Sequence, residues 1–316
     1  MPSDSPSLAE PHRPRPILLF AALASMMFMW AFNSIAGKLA LRHMGPLDLV
    51  SFRFELAGVL MLAIYFTRRQ RTPFRARDGW RIAWLALFGV VLNQGGFTVG
   101  LDFTTSQHSA VIASTGPIMV LLLAVAVGLE RLSPGKALGI TISFCGALLL
   151  ESEYGLPVHS PFLLGDGLTA ASTIGLAVYA VFGKQLAKQY DAVTMNTFVV
   201  VAAAVLVLPL AVRQGMRLDW RGVGWVGWGG MAYMAIFSSV IAYTLFYWTL
   251  RYMEASRVAV VNYFQPVLVI LFSIPILGEH PTRHLLGGTV LVLLGVYLAE
   301  HVSRMRRGPA AQAGVP

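Results

Sequence analysis

The chain has 316 residues, of which 56% are hydrophobic and only 12% charged, and its mean hydropathy is +0.65. Soluble domains carry about twice that charged fraction, so a water-soluble globular protein is excluded. The net charge of +9 does not indicate nucleic-acid binding. The basic residues lie in short connections between apolar runs, a pattern typical of membrane proteins.

The two ends of the chain are polar. Residues 1–16 are rich in proline, and we expect them to be disordered. The apolar run from Ile17 is too long for a signal peptide and has no clear cleavage site, so it is predicted to stay as the first span. Residues 303–316 are predicted to form a polar tail. The single cysteine, Cys145, leaves no partner for an intrachain disulfide.

Ten apolar segments are long enough to cross a bilayer. Backbone amides in lipid must be satisfied internally, which predicts helices, not strands. We therefore predict an all-α integral membrane protein with spans at 17–37, 47–66, 81–101, 107–128, 135–151, 164–183, 194–212, 222–248, 256–277 and 285–302.

The distribution of Lys and Arg predicts the orientation. With the N-terminus inside, the cytoplasmic segments hold 17 of the 24 basic residues, the opposite side holds 6, and Arg53 lies within a span. Positive residues are enriched on the cytoplasmic side of membrane proteins. Both termini are therefore predicted to be cytoplasmic.

The stretch 106–151 occurs a second time, without a gap, at 255–300. The two copies align Pro117 with Pro266, Glu130 with Glu279, Gly139 with Gly288, Gly146 with Gly295 and Glu151 with Glu300. Five spans per half is an odd number, so the second half must be inserted upside down. Inverted repeats are typical of secondary transporters. The alternative is that the duplication only builds a stable bundle.

Three segments carry a family resemblance. They are WAFNSIAGKLALRHMGPLDLVSFRFELAG at 30–58, LDFTTSQHSAVIASTGPIMVLLLAVAVGLERLSPGKALGITISFCGALLL at 101–150, and YWTLRYMEASRVAVVNYFQPVLVILFSIPILGEHPTRHLLGGTVLVLLGVYL at 247–298. The chain resembles the EamA-type, ten-helix branch of the drug/metabolite transporter superfamily, with repeats at 17–151 and 164–302.

This resemblance implies a carrier of the inner membrane, commonly an exporter of amino acids, metabolites or toxic small molecules. It implies a central cavity lined by helices 1, 3, 4, 6, 8 and 9, with helices 5 and 10 at the periphery. Two features depart from the family pattern. Leu129 separates Gly128 from Glu130, whereas Gly278 and Glu279 are adjacent, and Glu55 stands where the family has an apolar residue.

Arg53 and Glu55 are charges within a span, so each needs a partner or a water-filled cavity. They are two residues apart on a helix and point to nearly opposite sides. Arg53 matches the family's arginine, and we expect it to bond carbonyls or an acid near the outer mouth. Glu55 is either a titrating carboxylate that faces the cavity, for a proton or a cationic substrate, or a partner of Lys38 or of another basic group from a neighbouring helix.

Pro117 and Pro266 lie mid-span, where a proline removes an amide donor and allows a bend. We interpret them as hinges that also form cavity wall, the alternative being kinks whose hydrogen bonds are mended internally. Polar and aromatic residues at similar depth suit a small amphiphilic or aromatic substrate. The candidates are Trp30, Asn33, Asn93, Gln94, Ser114, Thr115, Tyr179, Tyr243, Tyr247, Trp248, Asn262, Tyr263 and Gln265.

Other chemistries have little support in the sequence. His280 and His284 beside Glu279 have a zinc-like spacing, but Pro281 lies between them, so neither a metal site nor a cofactor is predicted. No GK[ST] phosphate loop is present. Glu130 and Glu279 are expected near helix starts, where the backbone dipole favours a carboxylate. The glycines of spans 5 and 10 allow close packing, either within the chain or in a homodimer.

These observations together predict a secondary-active or facilitative carrier that exports a small organic solute by alternating access. Its expected partners are the solute, the lipid bilayer and a proton or another coupling ion. A membrane-embedded enzyme and a non-transporting membrane partner protein are the alternatives. The sequence scatters its acids and histidines, whereas an enzyme would cluster them.

Overall fold

The computed structural model of the chain describes residues 14–69, 72–128, 132–152, 161–187, 189–253, 258 and 264–305. The predicted N-terminal segment before residue 14 and the tail after residue 305 lie outside them. The described residues form ten successive helices and no strand. These are α1 (Pro16–Leu41), α2 (Pro46–Thr67), α3 (Ala76–Asp102), α4 (Ser106–Ala126), α5 (Pro134–Glu151), α6 (Leu163–Ala187), α7 (Ala192–Gly215), α8 (Gly224–Tyr252), α9 (Gln265–Leu277) and α10 (Arg283–Met305).

The ten helices coincide with the ten predicted spans, which confirms the all-α membrane fold. Seven are long and apolar enough to cross a bilayer, and α5, α9 and α10 supply shorter apolar stretches. The predicted ninth span begins at residue 256, and most of its first part lies outside the described residues.

The helix boundaries follow from local chemistry. Thr105, Ser133 and Asp191 accept a hydrogen bond from the backbone N–H three residues later and so cap α4, α5 and α7. Gly278, which follows α9, has a φ of +71°, a left-handed conformation that glycine adopts without strain. The sequence therefore encodes where these helices begin and end.

The packing of the helices has the symmetry of an inverted repeat. In the repeat, α1 to α5 correspond to α6 to α10. The contact of α3 with α6 therefore corresponds to the contact of α8 with α1, and the contact of α4 with α6 corresponds to that of α9 with α1. Two further extensive contacts, α5–α10 and α2–α7, each join a helix to its own counterpart. The helices of each half therefore pack mainly against helices of the other half.

Successive helices alternate in direction, which defines two membrane faces. The face at which α1 begins is called here the first face, and Arg68 and Asp191 also lie there. Thr105 and Gly278 lie at the opposite, second face.

The glycines of α5 and α10 face each other within the chain. A Cβ on Gly146 would lie 2.6 Å from the backbone nitrogen of Val292, and one on Gly295 would lie 2.5 Å from the carbonyl oxygen of Gly139. Only glycine allows the two backbones to approach this closely. Packing within the chain therefore explains the repeated glycines.

Candidate functional site: a polar cavity between the two halves

A cavity of about 70 Å³ lies between the two halves, near the middle of the helices. Seven helices contribute to its wall. Six of them, α1, α3, α4, α6, α8 and α9, are those that the family resemblance implies, and α2 joins them through Arg53. The lining residues are Trp30, Asn33, Arg53, Asn93, Gln94, Phe97, Ala113, Ser172, Thr173, Leu176, Ser238, Tyr243 and Gln265.

Two π-helical segments border this cavity. Residues Leu87–Gly95 of α3 and Met234–Ala242 of α8 both have this geometry, and the two helices are equivalents in the repeat. A π segment holds an extra residue per turn and is frequent at functional sites. Here the two segments bring the amides of α3 and a pair of serines of α8 toward α2.

Arg53 is fully buried and bonds to both π segments. Its Nε donates to Ser239 Oγ at 3.1 Å, and its Nη2 donates to Gln94 Oε1 at 2.8 Å and to Ser238 Oγ at 3.5 Å. Its Nη1 donates to Thr98 Oγ1 at 3.1 Å. We expected carbonyl or carboxylate partners near the outer mouth; the partners are three hydroxyls and the amide carbonyl oxygen of Gln94, and they lie at the central cavity. The guanidinium thus joins α2 to α3 and α8 without being neutralised.

A second polar link crosses the cavity through Asn93. Its Nδ2 donates to the carbonyl oxygen of Ser172 at 2.8 Å, and its Oδ1 accepts from the hydroxyl of Tyr243 at 2.6 Å. The side chain therefore connects α3 to both α6 and α8, and it fixes Tyr243 against the indole of Trp30, with ring centroids 5.2 Å apart.

Asn196 supports the site from α7 and was missed by the sequence reasoning, as were the two serines. Its Nδ2 donates to the carbonyl oxygens of Ser239 and Val240 at 3.0 and 3.1 Å. These carbonyls belong to the π segment of α8, whose geometry frees backbone acceptors. An asparagine inside a predicted span was the available signal.

Three polar groups at the cavity have no hydrogen-bond partner among the described residues. They are Trp30 Nε1, Asn33 Oδ1 and Gln94 Nε2. Buried polar groups are normally paired, so unpaired groups at a cavity are available to a guest molecule or to water.

Tyr179 and Tyr247, two of the predicted cavity residues, lie beneath the cavity on the side of the first face. Both are fully buried, and their ring centroids are 5.3 Å apart. Phe246 stacks on Tyr179 at 6.0 Å. Together these three rings separate the cavity from the first face. Trp248 does not line the cavity either, and its ring makes an edge-on contact with Tyr252.

The two prolines each begin a helical segment. The α-helical part of α4 ends at Ala113, and a new segment starts at Gly116, with Pro117 in its first turn. Pro266 has the same place in α9. A proline is tolerated there because the first N–H groups of a helix have no partner. The predicted bends are therefore helix boundaries beside the cavity.

Ser114 and Thr115 turn away from the central cavity. Their hydroxyls donate to the carbonyl oxygens of Val111 and Ile112 at 2.6 and 2.7 Å. These hydrogen bonds lie within α4 itself, which matches the alternative of a kink whose backbone groups are paired internally. Thr115 lines a separate, mainly apolar cavity of about 220 Å³ between α4, α5 and α6.

Glu55 lies on the side of α2 away from the cavity. Val59 and Leu62, which share its face one and two turns later, are exposed at 62% and 37%. Its Oε1 has no hydrogen-bond partner among the described residues, and no ion pair with Lys38 is found among them. The placement therefore does not match a carboxylate facing the cavity.

Several predicted residues are not described. Asn262, Tyr263 and Glu130 lie outside the described residues. Among the described ones, no group of three or more His, Cys, Asp or Glu side chains is placed to hold a metal ion.

Glu279 joins α4 to the α9–α10 connection at the second face. Its Oε1 accepts from the backbone N–H of Ser106 at 3.0 Å, and its Oε2 accepts from the Ser106 hydroxyl at 2.7 Å and from the Gln107 N–H at 3.3 Å. A carboxylate is stabilised at a helix N-terminus, as expected, but the helix belongs to the other half of the molecule.

A corresponding contact closes the first face. Arg68 Nη1 lies 2.5 Å from Asp191 Oδ1, which joins the end of α2 to the start of α7. The hydroxyl of Tyr190 donates to Asp78 Oδ2 at 2.8 Å. Burial and this hydrogen bond raise the pKa of Tyr190, so its hydroxyl stays protonated at neutral pH. Both faces are thus bridged by contacts between different halves.

The Arg68–Asp191 pair predicts a defined acid sensitivity. Burial raises the pKa of Asp191, but hydrogen bonds from Thr194 and Arg68 outweigh burial and hold the pKa below its usual value. A lowered native pKa contributes stability above the unfolded pKa of about 3.9 and loses it as pH falls through the native value. Thermal unfolding should therefore show the full contribution of this pair, constant with pH, between about pH 5 and 8, and a loss of that contribution below about pH 4.

Asp191→Asn is the matched variant, because asparagine keeps the helix cap and removes the charge. Its melting temperature should fall below that of the wild type at neutral pH and approach it in acid. A difference between the two proteins that stays constant down to acid pH would contradict the ion pair.

A family model described as the EamA-like transporter family matches residues 16–152 and again 163–300. The chain belongs to the EamA-like transporter family. Within the drug/metabolite transporter superfamily, this EamA-like protein is therefore an integral membrane transporter.

Proteins of similar sequence come from distant organisms. An uncharacterized transporter of Archaeoglobus fulgidus is 28% identical over 87% of this chain and 95% of its own length. The uncharacterized transporter YyaM of Bacillus subtilis is 24% identical over 85% and 88%. A WAT1-related protein of Arabidopsis thaliana is 26% identical over 89% and 81%. A solved crystal structure superposes with a TM-score of 0.65 at 18% identity, over 93% of this chain and all of the other, which shows the fold alone.

Proposed function

We propose that this EamA-like protein is a secondary-active or facilitative carrier that exports a small organic solute by alternating access. The observation that carries this proposal is the cavity between two inverted halves, lined by unpaired polar groups at mid-membrane depth. Polar groups without partners are costly at that depth unless they serve a guest or water.

The size of the cavity supports a change of conformation. A small-molecule site has a volume of roughly 300–1,000 Å³, whereas this cavity has about 70 Å³. The helices must therefore separate to admit a solute. The break in α4, the start of α9 at Gln265 and the π segments of α3 and α8 lie next to the cavity, where a local change can widen it.

In this mechanism, the contacts at the two faces close the cavity toward each face in turn. Opening toward the first face requires the Arg68–Asp191 contact to break and the tyrosine rings to part. Opening toward the second face requires Glu279 to leave the start of α4. We assign the first face to the cytoplasm from the Lys and Arg distribution, and a bacterial inner membrane from the family resemblance. A proton gradient, another ion gradient or the solute gradient alone would drive export.

Reversible cross-linking of the first face tests this mechanism. In a Cys145→Ser background, cysteines replace Arg68 and Asp191, and a reducible bifunctional thiol reagent joins them. Reconstituted protein is tested for flux of amino acids, aromatic metabolites and cationic drugs, with and without a pH gradient. Cross-linking should stop flux, and reduction should restore it. The Arg68→Cys variant alone, treated identically, is the control.

Flux that continues after complete cross-linking would exclude alternating access through this face. No flux of any solute from a correctly folded protein would favour an enzyme or a non-transporting partner. Glu55→Gln should keep the same dependence on the pH gradient, because its side chain lies outside the cavity. A loss of that dependence would restore Glu55 as the proton carrier.

A further inference from the structure

The charge of Arg53 has no counter-ion in the described part of the chain. Glu55 is on the opposite side of α2, and Asp166 pairs with His108 at 3.0 Å. An uncompensated guanidinium in the membrane interior is strongly unfavourable. Because Arg53 lines the cavity, an anion in the cavity could compensate this charge.

The hydrogen-bonding groups around the cavity favour an acceptor. Gln94 Oε1 accepts from Arg53 at 2.8 Å and from Ser239 at 2.8 Å, which fixes the amide so that its Nε2 is the group left unpaired. Trp30 Nε1 is a second donor without a partner. A carboxylate only accepts hydrogen bonds, so it matches two free donors beside a positive charge.

The rest of the wall is aromatic and apolar. Trp30 and Tyr243 form a tilted pair with ring centroids 5.2 Å apart, and Phe97 and Leu176 complete this side. No acidic side chain lines the cavity in the described residues, so an ammonium group would find no negatively charged partner there, and the unpaired acceptor Asn33 Oδ1 is uncharged. The charge of the wall therefore favours an anion over an amine.

We propose that the transported solute is a small organic monoanion whose carboxylate takes the counter-ion position beside Arg53, with its aromatic or apolar body against Trp30 and Tyr243. This inference rests on the proposed carrier function. It also gives the π segments a role, since they aim Gln94 and the α8 serines at Arg53 and so hold the guanidinium ready for an anion.

Four probes with one aromatic body test the charge preference: phenylacetate, phenylacetamide, phenylalanine and phenethylamine. Binding is measured as the shift in thermal unfolding of the purified protein, and transport as counterflow in proteoliposomes, at about pH 8 so that the acid is ionised. Phenylacetate should stabilise the protein and be transported in preference to the other three. A preference for the amine, the zwitterion or the neutral amide would overturn the inference, as would binding of none of the four.

The decisive variant is Gln94→Glu, which places a carboxylate of the same shape beside Arg53. The fold should be kept or stabilised, because Arg53 gains a permanent counter-ion. Binding of phenylacetate should weaken by about tenfold or more, because the position is occupied and repels anions. Arg53→Gln should also lose the preference, but it removes the link between helices, so Gln94→Glu remains the test if that variant does not fold. Glu55→Gln is the control and should keep the preference.

The measurements distinguish a failure of the proposed carrier function from a failure of the proposed anion site. Phenylacetate binding without counterflow would overturn the carrier function and leave the anion site. Counterflow of the amine or amide without preference for phenylacetate would overturn the anion site and leave the carrier. Unchanged phenylacetate binding in Gln94→Glu would overturn the position beside Arg53.

Discussion

Gly295→Ala is expected to destabilise the protein by about 1–3 kcal/mol, and a larger side chain by more. The added Cβ would lie 2.4 Å from the backbone nitrogen of Ser143 and 2.5 Å from the carbonyl oxygen of Gly139. Both atoms belong to the backbone of α5, so neither can move without separating the two helices. Thermal unfolding in detergent and the yield of folded protein measure the effect.

Gly287→Ala, in the same helix, is the matched control. Its Cβ would meet only Cδ2 of Leu149, at 3.2 Å, the far end of a flexible side chain. Alanine also improves helix propensity by about 1 kcal/mol, so this variant should be neutral or stabilised. If Gly295→Ala instead leaves stability unchanged and alters the oligomeric state, the glycine face packs between copies of the chain.

The sequence was sufficient for the fold because the deciding signals are local or repeated. Apolar runs of about 20 residues predict helices through the cost of unpaired backbone groups in lipid. The matched prolines, glycines and glutamates predict the duplication, and five spans per half require inversion. None of these signals depends on side-chain contacts, and the ten helices confirm the all-α membrane fold that they predict.

The site could be predicted from the sequence only in part, because its geometry depends on contacts between residues that are distant in sequence. The π segments have no sequence pattern of their own, so the contacts of Arg53 with Ser239 and Gln94 could not be foreseen. Glu279 was expected at a helix start, but that helix begins 173 residues earlier in the chain. For Glu55, the spacing of Val59 and Leu62 along one face was an available sign that this side of α2 points outward.

The contacts of Arg53 follow from the sequence and the fold together. The sequence predicts a charge at membrane depth and hence the need for partners. The inverted repeat then determines which partners are present, because α3 and α8 are equivalents that approach α2 from opposite halves. A single side chain thus links helices of the two halves.

Gly89→Ala is expected to cause the second large loss of stability, at least about 3 kcal/mol. Gly89 lies in the π segment of α3, and a Cβ there would fall 1.8 Å from Cδ2 of Tyr179. The tyrosine ring cannot give way easily, because it contacts Tyr247 at 5.3 Å and Phe246 at 6.0 Å on its other sides. The measurement is the free energy of unfolding in a double-mutant cycle with Tyr179→Leu.

In the Tyr179→Leu background, Gly89→Ala should cost roughly 1–3 kcal/mol less, because the opposing ring is gone. Gly229→Ala is the control, since no atom lies within 4 Å of its Cβ position. An equal cost in both backgrounds would contradict the contact between α3 and α6. The contact also bears on the proposed transport mechanism. In that mechanism, opening toward the first face requires the tyrosine rings to part, so a stable protein that carries Tyr179→Leu should leak solute through that face.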